Sequence, residues 1–297
     1  VGLIYALGAF LSWGLVVPVH FRLLDGVPAW GILAHRIVWS GLFIAVLLVA
    51  LRLLRRGPRI LLERRHAFLL LSALLIAGNW SLYLWAVQNG RMLDASLGYF
   101  INPLVNVALG ALVLREALRP LQLAAVALAA LGVVAAVVAA GSLPWVALAL
   151  AISFAIYGLI RKLVPIDPIL GLGAETFALL PLALAYLAVA PTPPGQGPEQ
   201  WLLLMLTGIT TAVPLMWFAA AAARLKLSTI GLLQYISPTC LLGLSVLAYG
   251  ESLPLSRALV FGLIWAGLAL YALDAARPRP AAAPAREPVP VPGDEPA

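Results

Sequence analysis

His35, Arg36 and Glu175 are the residues on which any chemistry would turn, because each is ionisable and each lies inside a long apolar run. A charged side chain at mid-membrane costs roughly 2.5–3.5 kcal/mol or more, so such groups pair with one another or mark the path of a solute or a proton. The runs Gly31-x-x-Ala34-His35 and Gly171-x-x-Ala174-Glu175 align, which sets Arg36, next to His35, against Glu175 and Thr176. The expectation is an Arg36–Glu175 ion pair, each partner lowering the other's desolvation cost. Glu175 and His35 are then the candidate proton-coupling groups. A static salt bridge, or snorkelling toward an interface, explains the same residues equally well.

Uncharged polar residues form a second set. Tyr99, Asn102 and Asn106 fall at i, i+3 and i+7 beside Pro103; Asn79 and Tyr83 are i, i+4; Gln234 and Ser237 are i, i+3 beside Pro238. Taken singly, such residues most often tie helices together by hydrogen bonds. Their concentration near two prolines favours a shared polar cavity, with Asn79, Tyr83, Tyr99, Asn102 and Gln234 on its walls. Pro103 and Pro238 are expected to kink their helices and to free carbonyls that water in the cavity can satisfy. Trp80, Tyr83 and Trp85 could stack on an aromatic solute, although packing and interfacial anchoring are the commoner uses. Glu116 and Glu251 read as end-caps or gate elements, and His20 is too isolated to interpret. There is no H-E-x-x-H, no G-x-S-x-G, no P-loop and no metal-ligand spacing, so no enzyme, cofactor or metal is expected. Cys240 stands alone and can form no intrachain disulfide.

The elements that hold these residues are membrane helices. Of the 297 residues, 63% are hydrophobic and only 10% charged, and the mean hydropathy is +1.02. A soluble domain carries about 25% charged residues, so this surface must face lipid. The net charge of +7 does not indicate nucleic acid, because the basic residues cluster between apolar runs. A helix needs roughly 20 apolar residues to cross a bilayer. That ruler gives ten spans: Gly2–Phe21, Trp30–Leu51, Ala67–Val87, Leu93–Leu114, Leu121–Ala140, Leu143–Ile160, Ile169–Ala190, Trp201–Ala223, Ser228–Tyr249 and Leu255–Leu273. Val1 falls inside an apolar stretch, so a short preceding segment is expected to be missing and this stretch to be a retained span. The Pro- and Ala-rich residues 275–297 are expected to form a disordered cytoplasmic tail.

Alternate loops sort the positive charges. One set holds Arg52, Arg55, Arg56, Arg59, Arg64, Arg65, Arg115, Arg119, Arg161, Lys162, Arg224 and Lys226, with Arg277, Arg279 and Arg286 in the tail; the other holds only Arg22, Arg91 and Arg257. Fifteen against three places both termini in the cytoplasm. The halves also repeat. Gly98 precedes Pro103 as Gly231 precedes Pro238, and Glu116 follows Pro103 by 13 positions as Glu251 follows Pro238. Five spans per half turn the second half upside down. The expected fold is therefore an all-α membrane protein of two inverted five-helix repeats, 1–142 and 143–274, an architecture common among secondary transporters.

These residues carry a family resemblance. The ten spans and the E-x-L after each proline-bearing span resemble the EamA-type members of the drug/metabolite transporter superfamily. Gly26-Val27-Pro28, Leu33-Ala34-His35-Arg36-Ile37-Val38-Trp39-Ser40, Asn79-Trp80-Ser81-Leu82-Tyr83, Ser96-Leu97-Gly98-Tyr99-Phe100-Ile101-Asn102-Pro103-Leu104 and Gly231-Leu232-Leu233-Gln234-Tyr235-Ile236-Ser237-Pro238-Thr239 are similar to its RarD-type branch. The resemblance covers residues 1–274. It implies a permease of the bacterial cytoplasmic membrane with a cavity between its halves, built from the third, fourth, eighth and ninth spans among others. The leading expectation is a secondary transporter for a small organic solute, metabolite or drug-like compound working by alternating access. Its partners would be the bilayer and the solute, with protons a candidate coupling ion and a homodimer a candidate assembly. A lipid-handling protein or an intramembrane enzyme is the alternative reading.

Overall fold

A computed structural model describes residues 1–53, 66–89, 91–141, 145–164, 166–190, 197–250, 253 and 255–276. Glu251, most of the basic stretch after Arg52, much of the segment 191–200 and the tail from 277 lie outside the described residues. Among the described residues all regular structure is helical. The helices are α1 (Gly2–Leu23), α2 (Ala29–Ala50), α3 (His66–Gln88), α4 (Met92–Leu112), α5 (Pro120–Ala140), α6 (Trp145–Leu163), α7 (Pro168–Val189) and α8 (Pro198–Ala222). α9 (Leu227–Ala248) and α10 (Leu255–Ala276) follow. The first nine are long and apolar enough to cross a membrane; α10 carries a shorter apolar stretch, Ala258–Asp274. Their outward faces suit hydrocarbon: Leu182, Val138 and Leu247 are 70%, 73% and 87% exposed.

Local chemistry sets several ends and breaks. Pro120, Pro168 and Pro198 open α5, α7 and α8, where the missing N–H leaves no bond unmade. Asp167 caps α7 by accepting from the N–H groups of Ile169 (2.9 Å) and Leu170 (3.2 Å). α5 stops at Gly141, whose φ of +69° suits glycine. α1 loosens into a π turn at Ser12–Val16, just before Pro18, which cannot bond back to Gly14. α9 breaks at Tyr235, between Leu227–Gln234 and Ile236–Gly243, three residues before Pro238. That break lies on the N-terminal side of Pro238, whereas α4 runs as one continuous helix through Pro103.

The packing order follows a simple rule. α2 packs on α7, α4 on the first segment of α9, and α5 on α10. α3 packs on α6 as α8 does on α1; α2 packs on α8 as α7 does on α3. Adding five to every helix number, cyclically, turns each of these contacts into itself or into another of them. In consequence α1 sits against α8 and α9, and α6 sits against α3 and α4. The α5–α10 pair runs antiparallel: a methyl group at Gly132 would come within 3.1 Å of Val260 O, and one at Gly267 within 2.7 Å of Ala125 O. Arg119, before α5, meets Asp274 near the end of α10 at 3.6 Å. The main core is aromatic, with Phe10, Trp13, Phe154, Tyr157 and Phe218 in mutual ring contact at 5.3–6.3 Å.

Candidate functional site

A narrow cavity opens where α2, α3, α7 and α8 meet. Its polar wall is Arg36 and Ser40 from α2, Trp80 from α3, Glu175 and Thr176 from α7, and Thr211 from α8; its apolar wall includes Ile76, Leu172, Leu179 and Leu215. The free space is about 20 Å³ to the centre of a water molecule, roughly room for one water. α2 and α8 touch backbone to backbone there, because a side chain at Gly208 would collide with Trp39, and Ser40 Oγ donates to Gly208 O at 3.1 Å. That crossing fixes the depth of Arg36 against Thr211.

Arg36 donates from Nε to Thr211 Oγ1 at 2.9 Å. Its guanidinium carbon lies 4.6 Å from the Trp80 ring centre and 5.0 Å from that of Phe21, cation–π distances. Tyr83 and Tyr99 stand edge to face at 6.3 Å and close enough to feel its charge. Tyr99 remains 46% exposed.

The expected Arg36–Glu175 pair is not formed. Glu175 is 1% exposed and pairs instead with Arg161, Nη1 to Oε1 at 3.3 Å. Ser72 Oγ donates to the same oxygen at 2.5 Å, and Tyr157 OH approaches Oε2 at 3.5 Å. The sequence places Arg161 in a loop after a span ending at Ile160. α6 instead continues to Leu163 and Arg161 is 4% exposed. It turns inward because Gly171, one helical turn before Glu175, has no side chain: a methyl group there would collide with the guanidinium. Arg161, Tyr157, Ser72 and Thr211 are thus the residues that sequence reasoning missed. The available signal was the i, i+4 spacing of Tyr157 with Arg161 and of Gly171 with Glu175.

His35 is one position from Arg36 and therefore about 100° around the helix. Its ring meets Trp201 edge-on at 5.5 Å, and it is not on the cavity wall. Asn79 donates to Leu150 O (2.8 Å) and Ser153 Oγ (2.9 Å) of α6. Asn102 donates to Ala151 O, also on α6, at 2.8 Å. Asn106 Nδ2 reaches both Asn102 Oδ1 (3.0 Å) and Gln234 Oε1 (2.8 Å), which links α6, α4 and α9 through buried amides. Apart from the Asn106–Asn102 bond within α4, these bonds run between helices, and none of these amide side chains lines the cavity. α4 and α9 cross so closely that a methyl group at Gly231 would lie 2.5 Å from Pro103 O. His20, unread in the sequence, bridges α1 to α8 through Thr210 Oγ1 (3.0 Å) and Leu203 O (2.9 Å).

Glu116 does serve as an end-cap, but for a helix of the other half. It accepts from Leu227 N (2.7 Å), Ser228 N (2.9 Å) and Ser228 Oγ (2.7 Å) at the start of α9. A carboxylate there satisfies otherwise orphan N–H groups and complements the helix dipole.

Comparison with known proteins agrees with this geometry. The profile of the EamA-like transporter family matches residues 1–138 and again 143–273. An uncharacterized transporter of Pseudomonas aeruginosa is 48% identical over 93% of this chain and 94% of its own. Protein RarD of Escherichia coli is 46% identical over 92% of this chain and 94% of its own. A solved crystal structure shares the fold, with a TM-score of 0.72 at 21% identity over 93% of this chain and 99% of the other. With relatives of this kind and nine apolar helices among the described residues, the chain is a multi-pass protein of the bacterial inner membrane. It belongs to the EamA-like transporter family, as a RarD-type member.

Proposed function

We propose that the protein is a secondary transporter that moves a small organic solute by alternating access, in two inverted five-helix halves with both termini cytoplasmic. The observation that carries this reading is the polar cavity at the α2–α7 contact, where the five-step packing rule maps each helix onto the other. A site there sees the two halves alike, so rocking one against the other opens it to either side in turn. The antiparallel α5–α10 pair supports the inversion. With room for about one water, the cavity corresponds to a closed state that must widen to admit a solute.

Within this reading Arg36, Trp80, Tyr83, Tyr99 and Thr211 form the solute path. Asn79, Asn102 and Gln234 hold α6, α4 and α9 in register beside it. Glu175 is the candidate proton-coupling group, since taking up a proton would release Arg161. His35, turned toward Trp201, is left out of the coupling.

The test uses reconstituted protein. Thr176→Cys and Thr211→Cys in a Cys240→Ser background should react with a membrane-impermeant thiol reagent from each side in separate experiments. Proteoliposomes incubated with a bacterial small-molecule extract should accumulate at least one compound that protein-free liposomes do not. Cysteines silent from both sides, together with an unchanged lumen, would defeat the proposal.

A further inference from the structure

Charge bookkeeping around the cavity points to what it carries. Arg36 and Glu175 are its two charged wall residues. Glu175 is already neutralised by Arg161, and its oxygens are further occupied by Ser72 and Tyr157. Arg36 has no such partner: among the described residues no carboxylate lies within ion-pair distance of it. Its Nε is held by Thr211, and its guanidinium carbon lies over the rings of Trp80 and Phe21. The two terminal nitrogens of the fork, with four N–H groups, make no hydrogen bond to any described residue. An unbalanced cation inside a membrane is costly, and ring faces compensate only part of that cost. A guanidinium fixed at Nε and bare at its outer edge is shaped for two parallel bonds to a carboxylate.

We infer that the solute is an organic anion, a carboxylate with an apolar or aromatic body, whose carboxylate is the missing partner of Arg36. The body lies along Trp80 and the apolar wall of Ile76, Leu179 and Leu215, while Tyr83 and Tyr99 border the approach. Binding supplies the counter-charge that Arg36 lacks among the described residues. An amine-bearing cation meets repulsion from Arg36 and finds Glu175 occupied, and a neutral amide gains only ordinary hydrogen bonds. This inference rests on the permease reading and adds the class of cargo.

The experiment is thermal unfolding of the purified full chain in detergent with three carboxylates: phenylacetate, indole-3-acetate and hexanoate. Phenylacetamide and 2-phenylethylamine carry the same body with a neutral and a cationic head. At least one carboxylate should raise the melting point, and the amide and the amine should not. Arg36→Gln should weaken that carboxylate by about tenfold or more, with Arg36→Lys retaining part of the effect. Without solute, Arg36→Gln should melt no lower than the parent, because the charge it removes has no counter-ion among the described residues. A shift as large with the amide or the amine, no shift with any of the three carboxylates, or an Arg36→Gln variant that melts well below the parent would each overturn the inference. The flux assay separates this failure from that of the permease reading. If only neutral or cationic compounds accumulate in proteoliposomes, the anion assignment falls while transport stands. If nothing accumulates yet a carboxylate still binds through Arg36, transport falls and the anion site remains.

Discussion

At the scale of single residues, Glu175 shows how far the sequence reaches and where it stops. An acid inside an apolar run announces that it is buried and partnered, and it is both. The identity of the partner was hidden. Aligned positions in two repeats share a role in their own halves, which does not bring their side chains into contact. Counting charges by loop treats every arginine as solvated, whereas Arg161 lies over the bare backbone of Gly171. A double-mutant cycle in thermal unfolding tests the pair. Glu175→Gln or Arg161→Gln alone should cost about 3–5 kcal/mol, and the two together distinctly less than their sum. Gly171→Ala should resemble Arg161→Gln, since its methyl group takes the guanidinium's place, and it should add little once Arg161 is already glutamine. Additive losses in both cycles would mean that the contact carries no energy. The amides teach a related lesson. Spacing put Tyr99, Asn102 and Asn106 on one face of α4, but periodicity does not say whether that face meets a cavity or another helix.

Among the helices, nine spans were legible because twenty apolar residues leave few alternatives, while among the described residues the tenth carries only the shorter apolar stretch Ala258–Asp274. The ends were less so, and α6 extends past Ile160 to Leu163. The two prolines sit in matched sequence yet act differently. α4 is flanked on both sides by α6 and α9 and stays continuous through Pro103, whereas the α9 segment that carries Pro238 packs on the π turn of α1. Glu116 reads from sequence as an end-cap or a gate element, and the helix it caps depends on a contact 111 positions away along the chain. Glu116→Ala should leave the amides of Leu227 and Ser228 unpaired and cost about 0.5–2 kcal/mol. Hydrogen exchange should then quicken over Leu227–Ile230 and stay unchanged in α5. Protection lost equally in both helices would point to general unfolding instead. Gly110 offers a second approach: a methyl group there would sit 2.7 Å from Glu116 Oε2, so Gly110→Ala should give the same exchange pattern.

For the molecule as a whole, the repeat was readable because Pro103–Glu116 and Pro238–Glu251 keep one spacing and the positive charges sort by loop. The way the halves interlock was not, because sequence similarity says which segments correspond and nothing about which ones touch. The proposed inverted topology is open to a direct measurement. Reporter fusions after Arg65 and after Arg279 should both report the cytoplasm, and a fusion after Asp25 the opposite side. A periplasmic signal from either of the first two would remove the five-plus-five arrangement.

The exchange of α1 and α6 between halves has a consequence for biogenesis. α1 leaves the ribosome well before its neighbours α8 and α9 are made. Until they arrive, the faces of Ala6, Ala9 and Phe10, fully buried in the finished protein, have only lipid to meet. The first five helices made alone should therefore insert in the membrane but remain open to proteolysis. Expressed beside the second five as a separate chain, they should regain resistance, because the interlocking faces, rather than the covalent link, complete the fold. If the first half proves protease-resistant alone, each half owns its core and the interlock is secondary.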